Sequence, residues 1–180
     1  MSDEFRKRGT SEITLVTGGA RSGKSRYAES LITGLPRPWV YVATALAGDT
    51  EMAERIAAHQ AQRVAGWKII EVPHELAGAF LSIPAASAVL VDCLTLWLSN
   101  RMLADANIEA EVDQLETALR RYTGVVVLVT NEVGSGIVPD NALARRFRDE
   151  LGRLNQRIAA LADRVVLVAA GLPLMLKGKP

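Results

Sequence analysis

The chain has almost no cysteine, with Cys93 alone among its 180 residues. A single thiol can form neither an internal disulfide nor a zinc site built from several cysteines. This usage is typical of a reducing compartment, so we expect a cytoplasmic protein. The charged first residues are followed by no apolar segment of the kind found in secretory signals, which agrees with that expectation.

A charge excess of either sign is also missing. The 21 Lys and Arg residues nearly balance the 20 Asp and Glu residues, leaving a net charge of +1. We therefore expect no nucleic acid partner, and any anion site must be local. The apolar runs are far shorter than the roughly 20 residues of a membrane span, so we expect no stable membrane insertion.

What the chain does have is a large apolar fraction, 49% of its residues, in a length typical of one domain. From Ile13 onward, short β-branched runs alternate with longer stretches of helical periodicity. This alternation predicts an α/β fold with a mostly parallel sheet and helices on both faces. We expect a flexible tail over residues 1–11 and a single domain over residues 12–180.

The individual elements follow from the same periodicities. The predicted strands are Ile13–Thr17, Trp39–Ala43, Ala88–Asp92, Val125–Thr130 and Val165–Ala170, with a weaker one at Trp67–Val72. The predicted helices cover residues 24–33, 50–64, 94–103, 108–121 and 141–162. Asp140 or Asn141 is expected to cap the last helix.

A glycine-rich segment between the first strand and the first helix matches the phosphate-binding P-loop pattern Gly-x4-Gly-Lys-Ser. Glycines allow a tight turn whose N–H groups point at a polyphosphate, and the helix N-terminus adds partial positive charge. We expect Lys24 to reach the outer phosphates as a catalytic group and Ser25 to bind Mg²⁺. The alternative is a glycine-rich turn without a ligand. The predicted phosphate-binding residues are Gly18, Gly19, Ala20, Arg21, Ser22, Gly23, Lys24 and Ser25.

Asp92 ends an apolar strand and therefore has the position of the second acidic motif of P-loop proteins. Ligands of open α/β sheets bind beyond the carboxyl ends of the strands, so Asp92 would share one Mg²⁺ with Ser25. Because a predicted helix follows at once, Asp92 is alternatively the N-cap of that helix.

Three cationic or titratable side chains share one face of the predicted helix over residues 50–64. Arg55, His59 and Arg63 stand four residues apart, a spacing that is mildly destabilising for like charges unless an anion lies nearby. A neutral imidazole there could attack the α-phosphorus of a bound triphosphate, and the arginines would stabilise the developing charge. A solvated helix face with an idle histidine explains the spacing equally well.

Together with the P-loop and this helix, two further segments resemble one family. These are Val91-Asp92-Cys93-Leu94-Thr95 and the stretch from Val129 to Pro139, which reads VTNEVGSGIVP. The ordered set resembles the bifunctional adenosylcobinamide kinase / adenosylcobinamide-phosphate guanylyltransferases of cobalamin biosynthesis. The likeness runs from about Ile13 to Lys177. Two departures from the family pattern are Val64, where a proline is usual, and the segment Thr44–Thr50.

The resemblance implies a RecA-like P-loop fold and two reactions. Adenosylcobinamide would be phosphorylated with ATP or GTP, and GMP would then pass from GTP to that phosphate through a guanylylated His59. Mg²⁺ would be required, and a homotrimer with sites between subunits is implied. Besides the P-loop, the nucleotide-contacting positions implied are Ala43, Thr44, Ala45, Gln60, Ala61, Gln62, Arg63, Glu71 and Asp92.

The loop that begins at Asn131 has two interpretations. It is either a glycine-rich connection in which Glu132 is a solvated charge, or a loop that contacts the corrinoid or the metal shell.

Two competing functions also remain: a P-loop kinase for a small molecule in which His59 has no role, and a P-loop switch or motor subunit that acts on a partner.

Overall fold

The computed structural model describes residues 11–48, 50, 53, 54, 57 and 64–179. The described residues form seven strands, β1 (Glu12–Thr17), β2 (Trp39–Ala43), β3 (Trp67–Glu71), β4 (Ala88–Asp92), β5 (Val125–Val129), β6 (Arg164–Ala169) and β7 (Leu172–Lys177). Their helices are α1 (Lys24–Thr33), α2 (Leu76–Ser82), α3 (Leu94–Leu103), α4 (Ile108–Arg121) and α5 (Ala142–Leu161). None of these helices is both long enough and apolar enough to cross a membrane.

The strands form one sheet in the order β3-β2-β4-β5-β1-β6-β7. All neighbouring pairs are parallel except β6 and β7, which are antiparallel. The carboxyl ends of β1, β4 and β5 therefore meet at one edge of the sheet, with β5 between the other two. This edge is where ligands of open α/β sheets bind.

The central strands of the sheet are covered on both faces, which explains why they are mostly apolar. Successive residues Leu15 and Val16 of β1 belong to two different core clusters. The first cluster includes residues of α2, α3, α4 and α5, whereas the second includes Ala28 and Ile32 of α1. Side chains of a strand alternate between faces, so a strand buried on both sides has few polar positions. The predicted α/β fold is confirmed.

Asn141 caps α5, as one of the two predicted alternatives, because its side chain accepts a hydrogen bond from the N–H of Ala144 at 2.8 Å. The predicted helix over residues 50–64 lies mostly outside the described residues, of which 50, 53, 54 and 57 are helical. The short helix α2 was not predicted. It has seven residues and contains Gly78, so it offers less than two turns of periodicity.

The sequence analysis also missed β7, which forms a hairpin with β6. Leucine and methionine dominate β7, and Pro173 lies inside it, so neither strand propensity nor pattern favoured a strand. Proline is tolerated here because β7 is the edge of the sheet. Ala170 and Gly171 form the turn with φ of 52° and 81°, since a two-residue hairpin turn favours positive φ.

Candidate active site

The predicted P-loop joins β1 to α1 and is braced by the β6–β7 hairpin. A Cβ atom at Gly18 would lie 2.4 Å from the carbonyl oxygen of Val168, so only glycine allows so close an approach to β6. On the other side of the loop, the N–H of Gly171 donates to the carbonyl of Ser22 at 2.8 Å. The hairpin that the sequence analysis missed therefore supports the shape of the P-loop.

Lys24 begins α1 and lies over the loop. Only 9% of the residue is exposed, and its Nζ donates to the carbonyl of Gly19 at 3.0 Å. Two hydroxyl groups here, those of Thr17 and Ser22, are buried without a hydrogen-bond partner among the described residues. Buried polar groups are normally paired, so the loop fits a ligand rich in acceptor oxygens, such as a polyphosphate.

Asp92 lies at the carboxyl end of β4, and its carboxylate is held from β2. The hydroxyl of Tyr41 donates to Asp92 Oδ2 at 2.9 Å. The alternative role of Asp92 as a helix cap was wrong, because α3 begins at Leu94 and its N-cap residue is Cys93. Helix α3 starts one residue later than a cap at Asp92 would require. The peptide bond between Asp92 and Cys93 is cis.

Ser25 and Asp92 suit Mg²⁺, which binds a few protein oxygens together with substrate phosphates and water. Asp92 Oδ1 accepts no hydrogen bond from the described residues, so one carboxylate oxygen is available to a ligand. Those residues also contain no group of three or more His, Cys, Asp or Glu side chains that could enclose a metal ion. An all-protein metal cage is therefore absent from this part of the chain, whereas a shared magnesium site at the sheet edge fits it.

Thr44 follows β2 and ties the ends of two strands together. It is fully buried, and its hydroxyl donates to the carbonyl of Cys93 and accepts from the N–H of Cys93, both at 2.7 Å. Asn100 of α3 donates to the carbonyl of Thr44 at 2.8 Å.

Of the predicted nucleotide contacts here, the neighbours Ala43 and Ala45 are half-buried, and Glu71 is exposed at the end of β3.

The thiol of Cys93 is buried beneath this edge. Burial, with a smaller contribution from the negative charge of Asp92, raises its pKa to about 11. The reactive thiolate is therefore scarce at physiological pH. We expect a disulfide reagent to leave the folded protein unmodified at about pH 8. The same reagent should label one thiol per chain once urea unfolds the protein. Rapid labelling of the folded protein would contradict the burial of Cys93.

The loop after β5 is fastened to the P-loop by its backbone. The N–H of Glu132 donates to the carbonyl of Gly18 at 3.1 Å, and the N–H of Thr130 donates to that of Val16 at 2.9 Å. The carboxylate of Glu132 turns back and accepts the N–H of Gly134 at 2.5 Å. Glu132 is thus at the sheet edge between β1 and β4, next to the predicted phosphate site.

A buried polar network holds the same loop from behind. The hydroxyl of Thr130 donates to Asn155 Oδ1 at 2.7 Å, and Asn155 Nδ2 donates to the carbonyl of Asn131 at 3.0 Å. Thr95 of α3 accepts the N–H of Asn131 at 2.8 Å. These polar residues join β5, α3 and α5, and the sequence analysis did not find the network because its members are far apart in the chain.

The far end of this loop exposes apolar side chains although its backbone is braced. Arg145 donates to the carbonyls of Pro139 and Asp140 at 2.9 and 2.7 Å. Ile137 is 97% exposed and Val138 is 62% exposed. Exposed apolar side chains on a loop with a braced backbone are typical of a binding surface.

His59 lies outside the described residues, as do Gln60, Ala61, Gln62 and both arginines of the predicted stripe, Arg55 and Arg63. Their predicted roles stay predictions. The structure brings together the P-loop, the end of β4 and the loop after β5. These are the parts that a P-loop protein uses to bind a nucleotide and transfer a phosphoryl group.

Two solved structures share this architecture. The flagellar accessory protein FlaH from Methanocaldococcus jannaschii superposes with a TM-score of 0.56 at 16% identity, covering 99% of this chain and 85% of that one. A protein from Pyrococcus horikoshii OT3 superposes with a TM-score of 0.58 at 11% identity, covering 99% of this chain and 93% of that one. At these identities the likeness concerns the fold alone. Fold and motif together define a P-loop nucleotide-binding protein.

The family is established by the sequence comparisons. The cobinamide kinase / cobinamide phosphate guanyltransferase family matches residues 14–176. The bifunctional adenosylcobalamin biosynthesis protein CobP of Pseudomonas aeruginosa is 47% identical, over 92% of this chain and 98% of its own length. The corresponding CobU of Salmonella typhimurium is 43% identical, over 92% and 99%. The chain belongs to this family of bifunctional enzymes, which confirms the resemblance expected from the sequence.

Proposed function

We propose that this enzyme phosphorylates the aminopropanol hydroxyl of adenosylcobinamide and then transfers GMP from GTP to the new phosphate in cobalamin biosynthesis. The observation that carries the proposal is the complete P-loop, braced between β6 and the loop after β5, in a chain of the kinase and guanyltransferase family. Residues 18–25 bind the triphosphate in both reactions, and ATP or GTP is the donor in the first.

In the kinase step, an oxygen of the cobinamide hydroxyl bonds to the γ-phosphorus and the bond from that phosphorus to the β-phosphate oxygen breaks. Lys24 moves from the carbonyl of Gly19 to the outer phosphates, where its charge balances the charge that develops on the leaving diphosphate. The N–H groups of the loop and the N-terminus of α1 hold the phosphates in line. Catalysis by such a site is mostly positioning and electrostatic stabilisation.

In the transfer step, the neutral imidazole of His59 attacks the α-phosphorus of GTP, forming a P–N bond and releasing pyrophosphate. A phosphate oxygen of cobinamide phosphate then attacks the same phosphorus, the P–N bond breaks, and histidine is restored. Arg55 and Arg63, each four residues from His59 in the sequence, stabilise the charge on phosphorus. Gln60, Ala61, Gln62, Ala43, Ala45 and Glu71 complete the nucleotide site, whereas Thr44 contributes through its backbone.

We further propose that Ser25 and Asp92 hold Mg²⁺, which would neutralise phosphate charge and orient the triphosphate. Asp92→Asn replaces a carboxylate with a neutral amide of the same size. We expect the Mg²⁺ concentration for half-maximal kinase rate to rise by about tenfold or more. Even residues that only support a metal ligand typically change metal affinity by this factor when they are replaced. Kinase rates measured against free Mg²⁺ give this value.

The matched control for that variant is Asp163→Asn. Asp163 Oδ2 also accepts a hydrogen bond, from the N–H of Ile13 at 2.8 Å. Asp163, however, lies at the amino ends of the strands, away from the proposed metal site. Its variant should keep the Mg²⁺ dependence of the wild-type enzyme. An unchanged dependence in Asp92→Asn would remove Asp92 from the metal site.

One labelling experiment separates the proposal from its competitors. GTP labelled in the α-phosphate should leave label on the denatured protein and then deliver it to cobinamide phosphate. An enzyme that is only a small-molecule kinase would phosphorylate cobinamide without a labelled protein. A switch or motor subunit would hydrolyse nucleotide without modifying either acceptor.

We also propose a cytoplasmic homotrimer with active sites between subunits. Beyond the family resemblance, the support is an apolar stripe on the edge strand β7. Leu172 and Leu174 lie on one face of β7, Leu176 lies at a β-bulge, and all three are more than half exposed. An exposed apolar edge strand favours association, and subunit contact would cover it.

A further inference from the structure

Tyr41 is a buried residue of β2 whose hydroxyl lies at the predicted catalytic edge. The residue is 4% exposed, and its ring packs edge to face on Trp67 with centroids 5.6 Å apart. The packing accounts for the aromatic ring, but a phenylalanine would provide the same packing. The hydroxyl needs a separate explanation, and its donation to Asp92 Oδ2 at 2.9 Å supplies one.

The contact reaches across paired strands. Ala43 of β2 is opposite Asp92 of β4, so Tyr41 stands two residues further from the edge and on the same face as Ala43. Its long side chain spans that gap and delivers a hydrogen bond to a carboxylate whose other oxygen, Oδ1, accepts none from the described residues. A hydrogen bond to one oxygen restricts the rotation of the carboxylate and leaves the second oxygen for a ligand.

The backbone beside Asp92 is fixed by separate bonds. Thr44 both donates to and accepts from the backbone of Cys93, and the N–H of Thr44 donates to the carbonyl of Asp92 at 3.3 Å. Backbone position and side-chain rotation are therefore controlled by different residues. Loss of the Tyr41 hydroxyl should release the rotation of the carboxylate and leave the backbone in place.

We propose that Tyr41 is a positioning residue for the metal site: its hydroxyl holds Oδ2 of Asp92 so that Oδ1 is presented to Mg²⁺ at the phosphate edge. This inference rests on the proposed metal role of Asp92. In this role Tyr41 acts through the carboxylate of Asp92. Partners of this kind orient metal-binding carboxylates, and their loss typically weakens metal affinity about 10- to 100-fold.

The test measures metal binding directly. Mn²⁺ replaces Mg²⁺ in the GDP-bound protein, and the free Mn²⁺ signal in electron paramagnetic resonance gives the dissociation constant. We expect Tyr41→Phe to weaken Mn²⁺ binding by about tenfold, while GDP binding without metal stays unchanged. Replacing Tyr41 by 4-aminophenylalanine, which keeps a donor at this position, should restore most of the affinity.

Tyr122→Phe is the matched control. Tyr122 is also buried, and its hydroxyl donates to the carbonyls of Ser87 and Pro84 at 2.9 and 3.2 Å, at the amino end of β4. Its variant removes the same hydroxyl group, whose single proton is shared between the two carbonyls, so its stability loss in thermal unfolding should be similar to that of Tyr41→Phe. It should nevertheless bind Mn²⁺ like the wild-type protein, because those bonds are remote from the metal site.

A double-mutant cycle decides how Tyr41 acts. In the Asp92→Asn background, Tyr41→Phe should change the Mn²⁺ affinity no further, since the group it positions is gone. If Asp92→Asn weakens Mn²⁺ binding but Tyr41→Phe does not, the positioning role is wrong and the metal role of Asp92 stands. If Asp92→Asn itself binds Mn²⁺ like the wild-type protein, the proposed metal site fails and the role of Tyr41 falls with it.

Discussion

Lys24→Ala is expected to abolish both the kinase and the guanylyltransferase reactions while the protein stays folded. The variant removes the one fixed positive charge that the P-loop pattern places at the outer phosphates. Losing a single group that stabilises transition-state charge typically lowers kcat by about 10²- to 10³-fold. In the proposed function both reactions use the same triphosphate site, so both should fall together when rates are measured with saturating nucleotide.

The fold should survive because the loss of one side chain at the loop is small against the stability of a whole domain. Lys24 donates to the carbonyl of Gly19, and a hydrogen bond of this kind adds about 1 kcal/mol to the free energy of unfolding. Lys177→Ala is the matched control, since Lys177 Nζ also donates to backbone carbonyls, those of Ala159 and Ala160. Circular dichroism and thermal unfolding should show folded protein in both variants, with activity retained only in Lys177→Ala. Full activity in Lys24→Ala would refute the phosphate site.

The fold and the phosphate loop could be predicted because their signals are local. Strands buried on both faces are apolar at most positions, so β1, β2, β4, β5 and β6 stand out from their surroundings in the sequence. The P-loop pattern predicts its own structure. Its first glycine, Gly18, is required where the chain passes close to β6, and its lysine, Lys24, begins the helix. A strand, a loop and a helix in that order need no knowledge of distant residues.

The supports of the site could not be predicted because they join residues far apart in the chain. Tyr41 and Asp92 are 51 residues apart, Thr44 and Cys93 are 49 apart, and they meet only because β2 and β4 are paired in the sheet. Strand order cannot be deduced from apolar patterns alone. The β6–β7 hairpin likewise supports the P-loop, through the bond from the N–H of Gly171 to Ser22, although the two lie at opposite ends of the sequence.

Asp92 illustrates the limit of a local pattern. A carboxylate between an apolar strand and a helix matches both a metal ligand and a helix N-cap. The two roles are distinguished by where the helix begins. Helix α3 starts at Leu94 with Cys93 as its N-cap, one residue too late for Asp92 to cap it. Helix boundaries carry an uncertainty of a residue or two even when a helix is clear. The contact with Tyr41 then supplies the positive reason for the orientation of the carboxylate.

His59→Ala is expected to eliminate the covalent GMP adduct and GMP transfer to cobinamide phosphate. The prediction rests on the Arg55, His59 and Arg63 spacing and on family membership. Direct γ-phosphoryl transfer requires only the P-loop, the metal and an aligned hydroxyl, so the variant should keep kinase activity. The measurement is the label retained by denatured protein after incubation with α-labelled GTP and Mg²⁺.

The chemistry of the adduct identifies its bond. A phosphoramidate of histidine is labile in acid and stable in base, unlike a serine ester, so brief acid treatment should release GMP. Attack requires the neutral imidazole, and an ordinary histidine is mostly protonated below about pH 6. Adduct formation should therefore decline as the pH is lowered through that range, with nucleotide held at saturation.

His74→Ala is the matched control, because the chain has only two histidines. His74 lies between β3 and α2, and its carbonyl accepts the indole N–H of Trp97 at 2.7 Å, a backbone contact that the variant keeps. We expect this variant to form the adduct at the wild-type level. An acid-labile adduct that persists in His59→Ala and disappears in His74→Ala would transfer the nucleophile to His74. Persistence in the variant with both histidines replaced by alanine would exclude a histidine intermediate, since no third imidazole exists to carry it.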